Sequence, residues 1–160
     1  MGIRLVVVDD NPHVSWEGRT YPVNATFQRF VAGLLELPGS PVATITSCVP
    51  LRPASSPPMT LPLDPRIRVV GTAPFDGIEG YLRHLPAMLR ANRPVLRAAL
   101  AEADLVWLKV PASNALLAAV VARAAGVPRF VWVAGSATDV ARARYGGARC
   151  HPFRRAPTLP

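Results

Sequence analysis

The chain has 160 residues, half of them hydrophobic and 18% charged. This length and composition suit a single domain with a sizeable core and exclude a disordered chain. No apolar run approaches the roughly 18 residues that a transmembrane helix needs, and no secretion signal is apparent. The two cysteines, Cys48 and Cys150, lack metal-type spacing. The sequence therefore predicts a reduced, cytoplasmic setting with no metal site and no transmembrane segment.

The net charge of +8 comes almost entirely from arginine, because Lys109 is the only lysine. The arginines are scattered, and no run alternates them with aromatic residues in the way that nucleic-acid-binding surfaces do. We therefore expect no nucleic-acid partner. A basic surface still attracts anionic lipids, so peripheral contact with a membrane stays open.

Strand-like apolar runs alternate with helix-like patterns along most of the chain. The predicted strands are residues 3–8, 42–49, 67–70, 104–110 and 129–134. The predicted helices begin at Asn24, Asn92, Ser113 and Gly135, residues 76–89 are ambiguous, and residues 50–65 are predicted to be a loop. Such alternation predicts an α/β fold with a Rossmann-like, mostly parallel sheet and helices on both faces.

The pattern ends near Tyr145. We therefore predict one Rossmann-like domain over residues 1–145 and an irregular basic tail over residues 146–160. The tail fits a disordered end as well as a truncated or frame-shifted reading frame.

Ligands of open parallel sheets bind at the carboxyl ends of the strands. Three strand-to-helix connections reach that edge, after the first, fourth and fifth predicted strands. Their polar and glycine residues are the candidate substrate-binding residues: Asp10, Asn11, His13, Glu17, Gly18, Arg19, Tyr21, Lys109, Ser113, Asn114, Gly135 and Ser136.

Lys109 is the most suggestive of these residues, because an inward-pointing ammonium needs a partner or a solvated cleft. We expect Asp10, His13, Arg19, Lys109 and Ser113 to meet at one rim. Structural roles stay open for some of them, since Asp10 can bond loop amides and Ser113 can be a helix N-cap. The catalytic residues stay unassigned, because the sequence has no dinucleotide, phosphate-loop, nucleophile-elbow or zinc-protease motif. No cofactor is expected.

The opening run Leu5-Val-Val-Val-Asp9-Asp10-Asn11-Pro12 is similar to the start of bacterial receiver domains. In that family, an aspartate that becomes phosphorylated ends the third strand, and residues 67–71 contain none. The alternative that follows from this resemblance is a stand-alone regulatory or ligand-binding α/β module, receiver-like or flavodoxin-like.

A second resemblance covers most of the chain. Its segments are Asp104-Leu-Val-Trp, Pro111, Ala115-Leu-Leu-Ala-Ala-Val-Val-Ala-Arg123 and Gly126-Val-Pro128, followed by the last predicted strand. They resemble the N-terminal domain of family 4 glycosyltransferases of the GT-B type. Histidines that this family often carries in the fourth and fifth strands correspond here to Trp107 or Lys109 and to Ala134.

This resemblance implies the acceptor-binding half of a nucleotide-sugar-dependent, metal-independent glycosyltransferase. Its partners would be a sugar or lipid-linked acceptor, a nucleotide-sugar donor and a C-terminal glycosyltransferase domain. In the family, that second domain holds the donor, so the present chain is expected to be inactive without it.

Overall fold

The computed structural model describes residues 2–135 of the chain. Over that range it has seven strands: β1 (Ile3–Val8), β2 (His13–Trp16), β3 (Arg19–Pro22), β4 (Val42–Pro53), β5 (Ile67–Thr72), β6 (Leu105–Val110) and β7 (Arg129–Val133). The same range has four helices: α1 (Ala25–Gly33), α2 (Gly77–Arg83), α3 (Leu85–Ala101) and α4 (Ala115–Ala124). The predicted helix after Gly135, the domain boundary at Tyr145 and the tail lie outside the described residues.

The central sheet consists of parallel strands in the order β5-β4-β1-β6-β7. Numbered along the chain, these five strands have the Rossmann order 3-2-1-4-5 rather than the flavodoxin-like order 2-1-3-4-5. The predicted Rossmann-like, mostly parallel sheet is therefore confirmed. The receiver-like or flavodoxin-like alternative is not favoured.

Helices cover both faces of the sheet. Successive residues of each strand point to opposite sides, so each face has its own apolar cluster for a helix to pack against. On one face, α1 packs Phe27 and Val31 against a cluster that includes Leu5, Val7 and Trp107. On the other face, α3 and α4 pack against a second cluster, whose strand residues include Val6, Val8, Cys48, Val106 and Leu108. β1 is thus buried on both sides, as the unbroken apolar run at the start of the sequence predicts.

The first connection contains a β-hairpin that the sequence did not reveal. β2 and β3 pair antiparallel, and β2 also pairs in parallel with residues Leu51, Arg52 and Pro53 at the end of β4. The prediction of a loop from Pro50 onward is therefore wrong at its start. A proline removes one backbone donor but keeps its carbonyl, so β4 continues through both of its prolines.

The helix boundaries also differ from the predictions. α3 begins at Leu85 and contains Pro94, whereas the sequence predicted a start at Asn92. Pro86 lies in the first turn of α3, where a backbone N–H has no partner within the helix. The N–H that proline lacks is therefore not missed there, and the helix starts earlier than expected. α4 begins after Asn114, so Ser113 is not its N-cap.

Candidate functional site

A cleft of about 540 Å³ opens at the carboxyl ends of β1, β6 and β7, beside the first turns of α1. We call it the rim cleft. Its lining residues are Asp9, Asp10, Asn11, Asn24, Thr26, Phe27, Phe30, Lys109, Pro111 and Trp132. The cleft therefore lies where Rossmann-type sheets bind their ligands.

An ion pair forms part of the wall of the rim cleft. The Nζ atom of Lys109 lies 3.0 Å from Oδ1 of Asp9, whose exposure is only 3%. The same ammonium lies 4.3 Å from the ring centroid of Phe27, within the range of a cation–π interaction. The second carboxylate oxygen of Asp9, Oδ2, is buried and has no hydrogen-bond partner in the described part of the chain. Lys109 thus compensates a buried charge at the edge of the cleft.

Asp10 joins the end of β1 to the start of α4. Its carboxylate accepts hydrogen bonds from the backbone amides of Ser113 and, at 3.5 Å, Asn114. Burial raises the pKa of Asp10, while these two amides oppose the shift by stabilising the carboxylate. The predicted structural role of Asp10, bonding loop amides, is thus present in the structure, and the residue also lines the cleft.

A buried polar network lies behind these amides. The side chain of Asn114 accepts hydrogen bonds from Nδ2 of Asn92 at 2.9 Å and from the hydroxyl of Tyr81 at 3.3 Å. The side-chain oxygen of Asn92 accepts from the amide of Ala73 at 2.8 Å. This network connects the segments that follow β5 and β6, because Ala73 follows β5 directly and Asn114 lies between β6 and α4.

His13 lies fully buried at the start of β2. Its Nδ1 is 2.7 Å from the carbonyl of Asn11, and since a carbonyl only accepts, Nδ1 carries the proton. Nε2 is then a bare acceptor, and no partner for it exists among residues 2–135. Burial lowers the pKa of His13, so the ring is held neutral.

The loop after β1 is also tied to α1. The side-chain amide of Asn11 donates to the carbonyl of Asn24. The side chain of Asn24 accepts from the amide of Thr26 at 3.0 Å, so Asn24 is the N-cap that the sequence predicted. These bonds hold the polar side of the cleft in place.

Aromatic rings form the other side. The Trp132 ring lies 5.2 Å from Phe27 and 6.0 Å from Phe30, with interplanar angles of 18° and 30°. Phe30 is 56% exposed and Trp132 is 37% exposed. Both rings are therefore accessible at the cleft, whereas Trp107 is buried. Both exposed rings lie where α1 and β7 reach the mouth of the cleft.

The structure brings together only some of the predicted site residues. Asp10, Asn11 and Lys109 line the rim cleft, Ser113 and Asn114 contact it through Asp10, and His13 is enclosed next to it. Gly135 follows β7 and is exposed, and Ser136 lies outside the described residues.

The remaining candidates belong to the hairpin. Glu17 and Gly18 form its turn, and Tyr21 pairs with Val14 across it. Gly18 and Arg19 line a different groove. The expectation that Arg19 meets Lys109 at one rim is therefore not met, because the hairpin extends along the end of β4.

Sequence reasoning missed most of the residues that α1 and β7 contribute to the cleft. Phe27 and Phe30 have the spacing of a helix core face, which concealed their contact with the cleft. Asn24 could have been placed near the cleft from the sequence. It is the predicted N-cap of the helix that follows the first connection, and such a helix has its N-terminus near the sheet edge.

The lining residues can bind a polar ligand with an apolar face. Carboxylate and amide oxygens accept hydrogen bonds from hydroxyl groups, and aromatic faces pack against C–H groups. In residues 2–135, no group of three or more His, Cys, Asp or Glu is placed to hold a metal ion. Over the same range, no helix combines the length and apolarity needed to cross a membrane.

No family model matches the chain, and no curated protein matches it. Two crystal structures of the C-terminal domain of a hydrogenase from Pyrococcus furiosus resemble it, with 14% and 12% identity and TM-scores of 0.43 and 0.47. Each covers 81% of this chain, which in turn spans 91% and 90% of those chains.

A UGT transferase from Siraitia grosvenorii in complex with UDP matches 90% of the chain at 18% identity, with a TM-score of 0.47. The present chain spans 32% of that protein. At these identities, no activity of the neighbours transfers to this chain.

Proposed function

We propose that this chain is the acceptor-side half of a nucleotide-sugar-dependent, metal-independent glycosyltransferase. The observation that carries the proposal is the rim cleft. It combines hydrogen-bond acceptors, a compensated Lys109–Asp9 pair and exposed aromatic rings at the ligand-binding edge of a sheet with Rossmann order. Such a lining suits a hydroxylated acceptor.

The sequence resemblance supports the same proposal. Its segments fall on β6, on α4, on the turn at Gly126 and on β7, in the order that family 4 glycosyltransferases have. Gly126 has a φ of 69°, which explains the glycine of that turn. The Asn24 cap and the following helix lie beside the cleft, where the family places its acceptor-facing loop.

Glycosyl transfer requires the acceptor hydroxyl and the donor sugar to be held together in a closed site. Residues 2–135 build one Rossmann unit, and in GT-B enzymes a second such unit holds the donor. We infer that a donor-binding domain, on the same or another chain, faces the rim cleft in the active enzyme. The role of Asp10 is then to accept a hydrogen bond from the acceptor hydroxyl.

The test is a nucleotide-release assay with a panel of UDP- and GDP-sugars. The 160-residue chain alone is expected to release no nucleotide. The same chain mixed with, or fused to, the donor-binding domain of a GT-B glycosyltransferase should show transfer, and Asp10→Asn should reduce that transfer. Turnover that copurifies with the chain alone would overturn the proposal, and so would transfer unaffected by Asp10→Asn.

A further inference from the structure

We propose that the rim cleft selects an uncharged sugar ring, which stacks on Trp132 and Phe30 while its hydroxyl groups bond to Asp10 and its neighbours. The assignment of this sugar as the acceptor rests on the proposed function. The binding itself does not, because it follows from the charges, aromatic rings and accessible polar groups of the cleft.

The aromatic side supplies the stacking surface. Trp132 and Phe30 lie 6.0 Å apart with their planes 30° from parallel, and both rings are partly exposed at the cleft. The faces of these rings carry partial negative charge, and the C–H groups on one face of a pyranose carry partial positive charge. A sugar therefore gains from covering the pair, while its hydroxyl groups stay at the ring edge.

The opposite side supplies accessible hydrogen-bond acceptors. Asp10 is partly exposed and lines the cleft, and its carboxylate has more lone pairs than the amides of Ser113 and Asn114 occupy. A ligand hydroxyl in the cleft can donate to these remaining lone pairs. Asn11 and Thr26 line the same cleft and offer further polar groups.

The charges of the cleft exclude an anionic ligand. Its lining residues contain two carboxylates, Asp9 and Asp10, and one ammonium, Lys109, which leaves a net charge of −1. Because Lys109 is already paired with Asp9, a phosphate or carboxylate would compete with Asp9 for the ammonium and be repelled by Asp10. A neutral polyol meets neither obstacle.

The experiment measures binding by tryptophan fluorescence and by ¹H–¹⁵N NMR on the full chain. The neutral probes are the methyl glycosides of glucose, galactose and mannose. Glucose 6-phosphate and glucuronate are the matched anionic probes. We expect saturable binding of at least one neutral probe at up to about 50 mM, with the anionic probes at least about tenfold weaker.

Variants separate stacking from general polar binding. Trp132→Ala should weaken the neutral probe about tenfold, and Trp132→Phe should retain most of the affinity because it keeps an aromatic face. Trp16→Phe is the matched control, since Trp16 lies in the hairpin and does not line the cleft. Far-UV circular dichroism checks that each variant is folded, and NMR shifts locate binding in the variants that have lost Trp132.

The inference is overturned if no neutral glycoside binds, if an anionic probe binds more tightly, or if Trp132→Ala leaves the affinity unchanged. Its failure is distinguishable from failure of the proposed function. Sugar binding without transfer in the presence of a donor domain contradicts only the acceptor role. Transfer restricted to anionic acceptors contradicts only the selection of uncharged sugars.

Discussion

Asp9 directly follows β1 and Lys109 lies near the end of the adjacent parallel strand β6, and their side chains meet at 3.0 Å. The carboxylate is almost fully buried, and the ammonium reaches the cleft over the ring of Phe27. The pair therefore contributes both to the stability of the fold and to the lining of the rim cleft. Mutations can separate these two contributions.

Lys109→Met should destabilise the protein by about 3–5 kcal/mol, because it leaves the Asp9 charge buried without a partner. The double variant Asp9→Asn with Lys109→Met should recover part of this loss. Guanidinium unfolding curves measure both effects. The matched control is Arg68→Met, which breaks an exposed 3.1 Å pair with Glu102 and should cost less than about 1 kcal/mol. Equal losses at the two sites would contradict the assigned role of Lys109.

Acid should destabilise the protein through His13. The unfolded chain protonates this imidazole near the ordinary value of 6.5, whereas burial lowers its pKa in the folded state. Below that pH the unfolded state binds more protons, so the free energy of unfolding falls, by up to about 1.4 kcal/mol per pH unit until the folded pKa is reached.

His13→Leu should remove this part of the pH dependence, whatever its effect on stability at neutral pH. The comparison is made by unfolding at several values between pH 7.5 and the acid limit of folding. The control variant is His84→Gln, which replaces a histidine at an exposed position of the described chain. An unchanged slope in His13→Leu would show that the ring is not held neutral by burial.

The Asn92 network should contribute strongly to stability. Asn92→Leu keeps the size of the side chain but removes the bonds to Ala73 and Asn114, which should cost about 2–4 kcal/mol. Tyr81→Phe removes only a 3.3 Å bond and should cost about 0.5–1.5 kcal/mol. Arg93→Leu, at the exposed neighbouring position, should change stability by less than about 0.5 kcal/mol. The predicted order would be contradicted if Tyr81→Phe lowered the melting temperature more than Asn92→Leu.

The hairpin turn contains a residue that is poorly suited to its conformation. Glu17 has a φ of 46° and Gly18 a φ of 74°, as in a two-residue turn that favours Asn-Gly. Glu17→Asn should therefore stabilise the protein by about 0.5–1 kcal/mol, since asparagine adopts positive φ at lower cost. Glu17→Gln separates the loss of charge from the backbone effect and should have little influence. A shift of the melting temperature in the same direction for both variants would point to charge instead.

The central sheet could be predicted from the sequence because its strands carry continuous apolar runs and its helices carry a 3.6-residue period. The hairpin could not, since β2 and β3 have four residues each and are held by the distant end of β4. A local pattern does not reveal such a nonlocal pairing.

The polar half of the site was predictable, and the aromatic half was not. Asp10, Asn11 and Lys109 were identified by their position at strand ends, which is a property of sequence order. Phe30 and Trp132 follow the same periodicity as core residues. β7 is an edge strand of the sheet in the described part of the chain, so the exposure of these rings depends on tertiary packing that spacing does not encode.

The length of β4 has a consequence for how this protein could diversify. Its first part pairs with β1 and β5 in the core, and its last three paired residues hold the hairpin. The hairpin is thus held by the end of β4, and its tip does not line the cleft. Insertions at the tip would alter the surface of the hairpin while leaving the Lys109–Asp9 pair and the aromatic rings of the rim cleft in place, so the two surfaces can change independently of each other.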